Sequence, residues 1–328
     1  MSLNKTTNNK QQITKFASDL LFVICCLLFN FMSLLEETKQ LCNLYHIKPA
    51  HNKGQNFLIN EAVYEQMMAA AHLQPTDTVL EIGPGLGFLT FLLAAKAKKV
   101  LAVELDKRLA EALKLRLAMK EIKNVEVIQG DILSFFSRHS CESRNLVAKE
   151  LEMPAFAGMT NRYKVVANLP YNITSIFLRR FLEDDKRPQT LTLLLQREVA
   201  ERLAAKAGAM SLLGLSVQFY AEPKLIASVD KKDFWPVPQV ASAIVELQVK
   251  AKPPLAGADI KLFFRLARIG FSAKRKMLKN NLAAGLPIKT SEAEIYLKQA
   301  GLSPTIRAQD LSLDNWLKLF GFTKGIML

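Results

Sequence analysis

Four short motifs in this chain bring glycine, carboxylate, amide and aromatic side chains together at spacings that suit an adenosyl ligand and a group reacting beside it. Glu81-Ile82-Gly83-Pro84-Gly85-Leu86-Gly87 closes the apolar run Thr78 to Ile82 and opens a helical one. Glycines there permit unusual backbone angles and close approach of a ligand to the main chain, and a helix start adds favourable dipoles. A dinucleotide fingerprint needs G-x-G-x-x-G, whereas here Gly87 arrives one residue early and Phe88 follows, which weakens a nicotinamide reading. Glu104 ends the next strand, where a carboxylate can accept both ribose hydroxyls. Gly130-Asp131-Ile132 ends a third, offering a carboxylate to an adenine amino group and apolar neighbours to the ring. Asn168-Leu169-Pro170-Tyr171 ends a fourth, where an acceptor molecule would meet the cofactor. Each motif alone has a plainer reading: a tight turn, a helix cap for Glu104 or Asn168, a core aromatic for Tyr171. Four in the right order at successive strand ends make chance placement a poor explanation.

The elements that must carry these motifs alternate. Strands are expected at 78–82, 100–103, 125–128, 163–167 and 190–195, with helices at 62–71, 88–97, 107–119, 173–182 and 198–203 between and around them. Three further segments, 215–220, 223–229 and 241–249, read as closing strands. The fold class is α/β, a Rossmann-like domain with a mainly parallel sheet covered by helices and ligands at the carboxyl ends of its strands. Residues 137–162 lack periodicity and read as a long loop. Beyond Pro253-Pro254 the pattern turns helical at 260–284, 291–299 and 312–320, a small all-helical second domain. The expected organisation is an extension over 1–45, an α/β domain over 46–250 and a helical domain over 251–328.

A net charge of +14 favours an anionic partner, and residues 251–328 hold 13 basic against 5 acidic residues, which points to that end for phosphate contacts. Lys261, Arg265, Arg268, Lys274, Arg275, Lys276 and Lys279 form a run without an acid between 260 and 291. Such a run is often a solvated helix face, but missing counter-charges favour nucleic-acid phosphate. Phe271, within it, reads as an anchor to its own domain. Cys25, Cys26, Cys42 and Cys141 form no C-x-x-C pair and no histidine stands at ligand spacing, so neither a disulfide framework nor a metal site is expected, and a reducing cytoplasm fits. Lys5, Lys10 and Lys15 before the apolar stretch 20–29 imitate a secretory leader, yet no small-x-small cleavage site follows and the stretch is short for a membrane span. The readable enzyme begins after Met32, which is the expected natural start.

From about residue 53 to 320 the chain resembles the bacterial ribosomal RNA adenine dimethyltransferases, relatives of the erythromycin-resistance methyltransferases. The resemblance runs through G-Q-N-F-L at 54–58, E-I-G-P-G-L-G at 81–87, V-E-L-D at 103–106, G-D-I at 130–132, N-L-P-Y-N-I at 168–173 and F-W-P-V-P-Q-V-A-S at 234–242. It implies S-adenosylmethionine as methyl donor, held by Asn56, Leu58, Gly83, Glu104, Asp131 and Asn168, with Gln55, Gly85 and Ile132 beside them. It implies as substrate two neighbouring adenines near the 3′ end of small-subunit rRNA, each methylated twice, within a pre-ribosomal 30S particle. The expected protein is a monomeric, cytoplasmic enzyme. Three features depart from the pattern: the apolar leader, a segment 137–162 longer than usual, and His51-Asn52 where a more basic lead-in is common.

On that resemblance the chemistry follows. An adenine N6 amine is a poor nucleophile because its lone pair is delocalised. Hydrogen bonds from it to the Asn168 side-chain oxygen and the Leu169 carbonyl would localise the pair, with Pro170 shaping the turn, while Tyr171 stacks on one face of the base and Phe234 on the other. Phe234 has a rival reading as a packing residue. A DNA or other RNA adenine methyltransferase shares the N-L-P-Y chemistry, and a non-catalytic ribosome-assembly factor that keeps the cofactor site is an alternative of another class.

Overall fold

The runs around Val79-Leu80, Val100 to Val103, Val165 to Ala167 and Leu193 to Leu195 are apolar on every residue, not on alternate ones, and such strands are stable only with both faces covered. A computed structural model, describing residues 32–49, 55–136, 163–184 and 186–327, shows that cover. The leader at 1–31, the His51-Asn52 lead-in and the segment 137–162 lie outside the described residues.

In chain order the elements begin with α1 (Leu34–Leu44), β1 (Phe57–Leu58), α2 (Glu61–Ala71), β2 (Thr78–Ile82), α3 (Phe88–Lys96), β3 (Lys99–Glu104), α4 (Lys107–Met119) and β4 (Val125–Gln129). After a short 3-10 turn (Ile132–Phe136) come β5 (Tyr163–Asn168), α5 (Thr174–Glu183), β6 (Thr190–Gln196), α6 (Arg197–Leu203), α7 (Leu212–Tyr220), β7 (Ala221–Val229), β8 (Phe234–Trp235) and β9 (Ser242–Val249). Four helices finish the chain: α8 (Ala258–Gly270), α9 (Leu278–Gly285), α10 (Thr290–Gln299) and α11 (Leu313–Thr323).

The main sheet runs β4-β3-β2-β5-β6-β9-β7. Neighbours from β4 to β6 are parallel, and β9 and β7 add an antiparallel edge. Strand order reverses between β2 and β5, which opens a crevice at their carboxyl ends, the place where ligands bind in sheets of this kind. The Rossmann-like expectation therefore holds.

Three sequence-based expectations need correction. Leu215 to Tyr220 is not a strand but the end of helix α7, capped by Ser211, whose hydroxyl accepts from the Gly214 N–H at 3.0 Å. A short apolar run carries no decisive period, and here Leu212, Leu215 and Phe219 share one helical face. The expected helix over 260–284 is two helices, with Lys274, Arg275 and Lys276 in the turn between α8 and α9 instead of along a helix face. Residues 34–44 are no detached extension. Leu41 and Cys42 of α1 are buried in one cluster with Leu86, Leu109 and Ala112, so this helix belongs to the α/β body.

The C-terminal helices also share the main core. One buried cluster passes from Leu80, Val165 and Leu193 of the sheet through Phe219 to Phe263, Trp316 and Phe320. Phe219 lies 5.0 Å from Phe263, centroid to centroid, and Phe263 meets Phe320 edge-on at 5.8 Å. Phe271 stacks on Trp316 at 5.4 Å, the anchoring role expected of it. No helix among the described residues is long and apolar enough to cross a membrane.

Candidate active site

The first motif forms a loop between β2 and α3. Gly85 has φ +58°, a left-handed value that glycine adopts at little cost, and its N–H donates to the Glu104 carboxylate at 3.1 Å. Gly87 opens α3 at φ +88°, and a Cβ there would collide with Leu113. The second Glu104 oxygen accepts from the Asp106 N–H at 2.9 Å. Glu104 is thus not the cap of α4. That part is played by Asp106, which accepts from the Arg108 N–H at 3.0 Å. Glu104 stays buried at the end of β3, and burial raises its carboxyl above the usual range.

Parallel pairing of β2 with β5 brings the fourth motif to the same crevice. Gly83 faces it closely: a Cβ on Gly83 would stand 3.8 Å from the Pro170 ring and 3.9 Å from the Asn168 carbonyl. Leu169 is buried, and its N–H donates to the Leu194 carbonyl of β6 at 3.2 Å, which fixes the turn. The Tyr171 hydroxyl shares a 2.8 Å hydrogen bond with the hydroxyl of Ser242, a fully buried residue at the start of β9. Among the described residues no neighbour hydrogen-bonds the Asn168 side-chain amide.

A third wall comes from a long-range pairing. β1 and β8 form a two-stranded ribbon, Phe57 opposite Trp235 and Leu58 opposite Phe234, which carries Gln55, Asn56 and Leu58 to the cavity rim. The resulting cavity is lined by Gln55, Asn56 and Leu58, by Gly83 and Gly85, by Glu104, and by Asn168 to Tyr171. Ten of the residues expected from the sequence therefore converge on one site.

Three do not reach its wall. Asp131 is exposed and caps the 3-10 turn, accepting from the Leu133 N–H at 2.9 Å. Ile132 beside it is buried. Both remain next to the site, because the Gly130 N–H donates to the Glu104 carbonyl at 2.9 Å. Phe234 is a correction: at 1% exposure it packs with Leu58, Val63 and Ile244 in the core, so its ring offers no open face to a base. The packing reading accounts for it, since pairing with Leu58 turns the ring inward.

The residues present suit a cationic adenosyl ligand. Glu81, Glu104 and Asp106 all line the cavity, and Glu81 Oε2 is buried without a hydrogen-bond partner. Burial pushes the Glu81 carboxyl up to about 8, the expected response of an acid with no counter-charge. A ligand bearing positive charge would supply that counter-charge. Among the described residues no cluster of metal-ligating side chains occurs.

The family model for ribosomal RNA adenine dimethylase matches residues 48–324. The chain belongs to this family. It is 41% identical over 287 residues to ribosomal RNA small subunit methyltransferase A of Dehalococcoides mccartyi (strain CBDB1), covering 88% of this chain and 92% of that protein. The protein of the same name from Pelotomaculum thermopropionicum is 38% identical, over 86% of this chain and 93% of its own. Among solved structures, a dimethyladenosine transferase from Plasmodium falciparum superposes with a TM-score of 0.65 at 26% identity, covering 81% of this chain and 98% of that one. The 23S rRNA methyltransferase ErmE gives 0.63 at 28%, covering 82% and 100%. As a member of the adenine dimethylase family, the chain is a methyltransferase.

Glu81 is the site residue that motif reading passed over as part of a glycine signature. Its signal was visible: a lone carboxylate between apolar Leu80 and Ile82 in the strand T-V-L-E-I. Leu105, beside Glu104, is a second. It lines the cavity while 64% exposed, as an apolar wall awaiting a ring would be.

On the C-terminal surface of this family member, Lys261, Arg265, Arg268, Lys274, Arg275 and Lys276 are exposed. Lys279 differs. Its ammonium pairs with Glu294 at 2.5 Å, and that contact holds the Glu294 carboxyl below its usual range. The counter-charge lies outside the acid-free run, on α10, where sequence proximity could not reveal it.

Proposed function

We propose that this enzyme uses S-adenosylmethionine to dimethylate the N6 amines of two adjacent adenines near the 3′ end of small-subunit rRNA. The observation that carries the reading is the meeting, in one cavity, of the Glu104-bound glycine loop with the Asn168 to Tyr171 turn. The relatives' names supply the substrate: they act on the small ribosomal subunit, and one structural relative is a dimethyladenosine transferase.

S-adenosylmethionine supplies an electrophilic methyl group when bound. Glu104 would accept the ribose hydroxyls, Leu105 would cover one face of the adenine, and Asp131 would accept from its amino group with the oxygen not committed to Leu133. Glu81 would take the ammonium of the methionine portion, with Gln55, Asn56 and Leu58 closing the rim. At the other end of the cavity, Asn168 and the Leu169 carbonyl accept from the target N6 hydrogens and draw its nitrogen toward tetrahedral geometry. Such preorganised groups act where charge develops in the transition state. The methylated ammonium is acidic and loses its proton to water, so no side chain with a tuned pKa is needed. Tyr171, held by Ser242, stacks on the base. The exposed cations from Lys261 to Lys276 meet rRNA phosphates within a pre-ribosomal 30S particle, the enzyme acting as a cytoplasmic monomer.

The test is to incubate the protein with labelled S-adenosylmethionine and unmodified small subunits and then map the label. N6,N6-dimethylation at two neighbouring adenines is expected. Label in another base or in protein, or no transfer at all, would overturn the reading, and equal transfer to DNA of the same sequence would remove the RNA assignment.

A further inference from the structure

Arg116, in the last turn of α4, is an arginine with only 7% exposure. Burying a guanidinium is costly unless its donors are met, and here three kinds of partner meet them. One terminal nitrogen donates to the carbonyl of Leu86, inside the glycine loop. The other pairs with the Glu37 carboxylate of α1 at 2.8 Å. The guanidinium also lies over the rings of Phe88 and Phe91, at 5.0 and 4.8 Å from their centroids.

The fork therefore spans two elements: a helix preceding the stretch matched by the family model, and the loop that shapes the cofactor cavity. Leu86 sits between Gly85, whose N–H holds Glu104, and Gly87, which starts α3. Holding the Leu86 carbonyl thus fixes the Leu86–Gly87 peptide plane, directly after the residue whose N–H Glu104 holds. Glu37 is what keeps Arg116 inside. Without it the guanidinium would be buried with one carbonyl and two ring faces, and would gain by swinging out toward water. A second tie from the same helix, Arg108 donating to the His46 carbonyl at 3.2 Å, secures the chain just after α1.

We infer that Arg116 is a positioning residue for the cofactor loop and that α1, through Glu37, is a working part of the S-adenosylmethionine site. This rests on the proposed function for its ligand, but not for its geometry. A carboxylate from α1 clamps an arginine from α4, and the arginine clamps the loop. Arg116→Lys keeps the charge and loses the planar fork that holds both partners at once, so it tests geometry apart from charge.

The experiment uses the full chain and three variants: Glu37→Gln, Arg116→Lys, and Asp259→Asn as a control that breaks the distant 2.7 Å ion pair with Lys324. Calorimetric titration reads S-adenosylmethionine affinity, and amide hydrogen exchange without ligand reads protection across 83–87. Glu37→Gln and Arg116→Lys are expected to weaken binding about tenfold, as misplacement of a binding element does, and to speed exchange in the loop. Asp259→Asn should lower the melting temperature and change neither reading. If Glu37→Gln lowered only the melting temperature, leaving affinity and loop exchange at wild-type values, the pair would be packing glue and the inference would be wrong. If the wild-type protein failed to bind S-adenosylmethionine, the proposed function would fall, while loop exchange would still decide the clamp. Should Arg116→Lys not fold, Glu37→Gln carries the test alone.

Discussion

The Glu104 carboxylate holds the Gly85 N–H at 3.1 Å and the Asp106 N–H at 2.9 Å, so the acid that ends β3 also braces the glycine loop after β2. The loop and the carboxylate are one structure, and neither can be altered without the other. Glu104→Ala removes both acceptors together with a charge-assisted bond to ligand. It should weaken S-adenosylmethionine binding by roughly 1 to 3 kcal/mol by calorimetry. Unchanged affinity in a folded variant would put the ligand elsewhere.

Glu81 gives the site a pH signature. Its buried carboxyl stays protonated to about 8 in the folded protein, whereas an ordinary glutamate ionises near 4.5. Between those values the unfolded chain binds fewer protons than the native one, so this group's contribution to stability is full below pH 4.5 and is lost as pH rises through about 8. Glu81→Gln should flatten that fall in a series of melting curves. At pH 7, binding a cationic ligand should expel the Glu81 proton, seen as a dependence of binding enthalpy on buffer ionisation heat that Glu81→Gln abolishes.

Tyr171 and Ser242 predict a graded effect. Tyr171→Ala removes the stacking face and should cost ~1 to 3 kcal/mol in capture of the target base. Ser242→Ala leaves the ring in place without its 2.8 Å anchor, so it should lower the transfer rate by less than Tyr171→Ala. Equal losses from both would contradict a separate stacking role for the Tyr171 ring and leave its bond to Ser242 as the whole effect.

How much of this was legible in the sequence differs by distance along the chain. Strand-end motifs were readable because each lies within one strand and one turn, where local backbone preference and burial agree. The β1–β8 ribbon was not, since Leu58 and Phe234 carry no mark that they pair across the body of the domain. That missing pairing is why Phe234 looked like a stacking aromatic and proved to be a core one. Leu215 to Tyr220 misled for a different reason: six residues without a clear period fit helix or strand, and the deciding Ser211 cap lay just outside the segment. The role of α1 was hidden because its key residue, Glu37, is identified only by a partner on α4.

The basic surface can be dissected by salt. Replacing Arg268, Lys274 and Arg275 with alanine should weaken rRNA binding and flatten its salt dependence, each phosphate contact contributing ~0.7 to 0.9 to the slope of log K against log salt. Lys279→Ala should leave that slope alone, because Glu294 already neutralises Lys279. A triple variant with the wild-type slope would show these cations to be a solvated face.

The central claim is that Asn168 acts on the target amine while the methyl group is in transit, and single-turnover transfer by Asn168→Ala tests it most directly. With S-adenosylmethionine and small subunits both saturating, and cofactor binding by the variant verified, loss of one preorganised acceptor should slow transfer on the order of 100-fold while substrate affinity changes little. A variant that transferred methyl groups at close to the wild-type rate would contradict the account and leave Asn168 to Tyr171 as a structural turn.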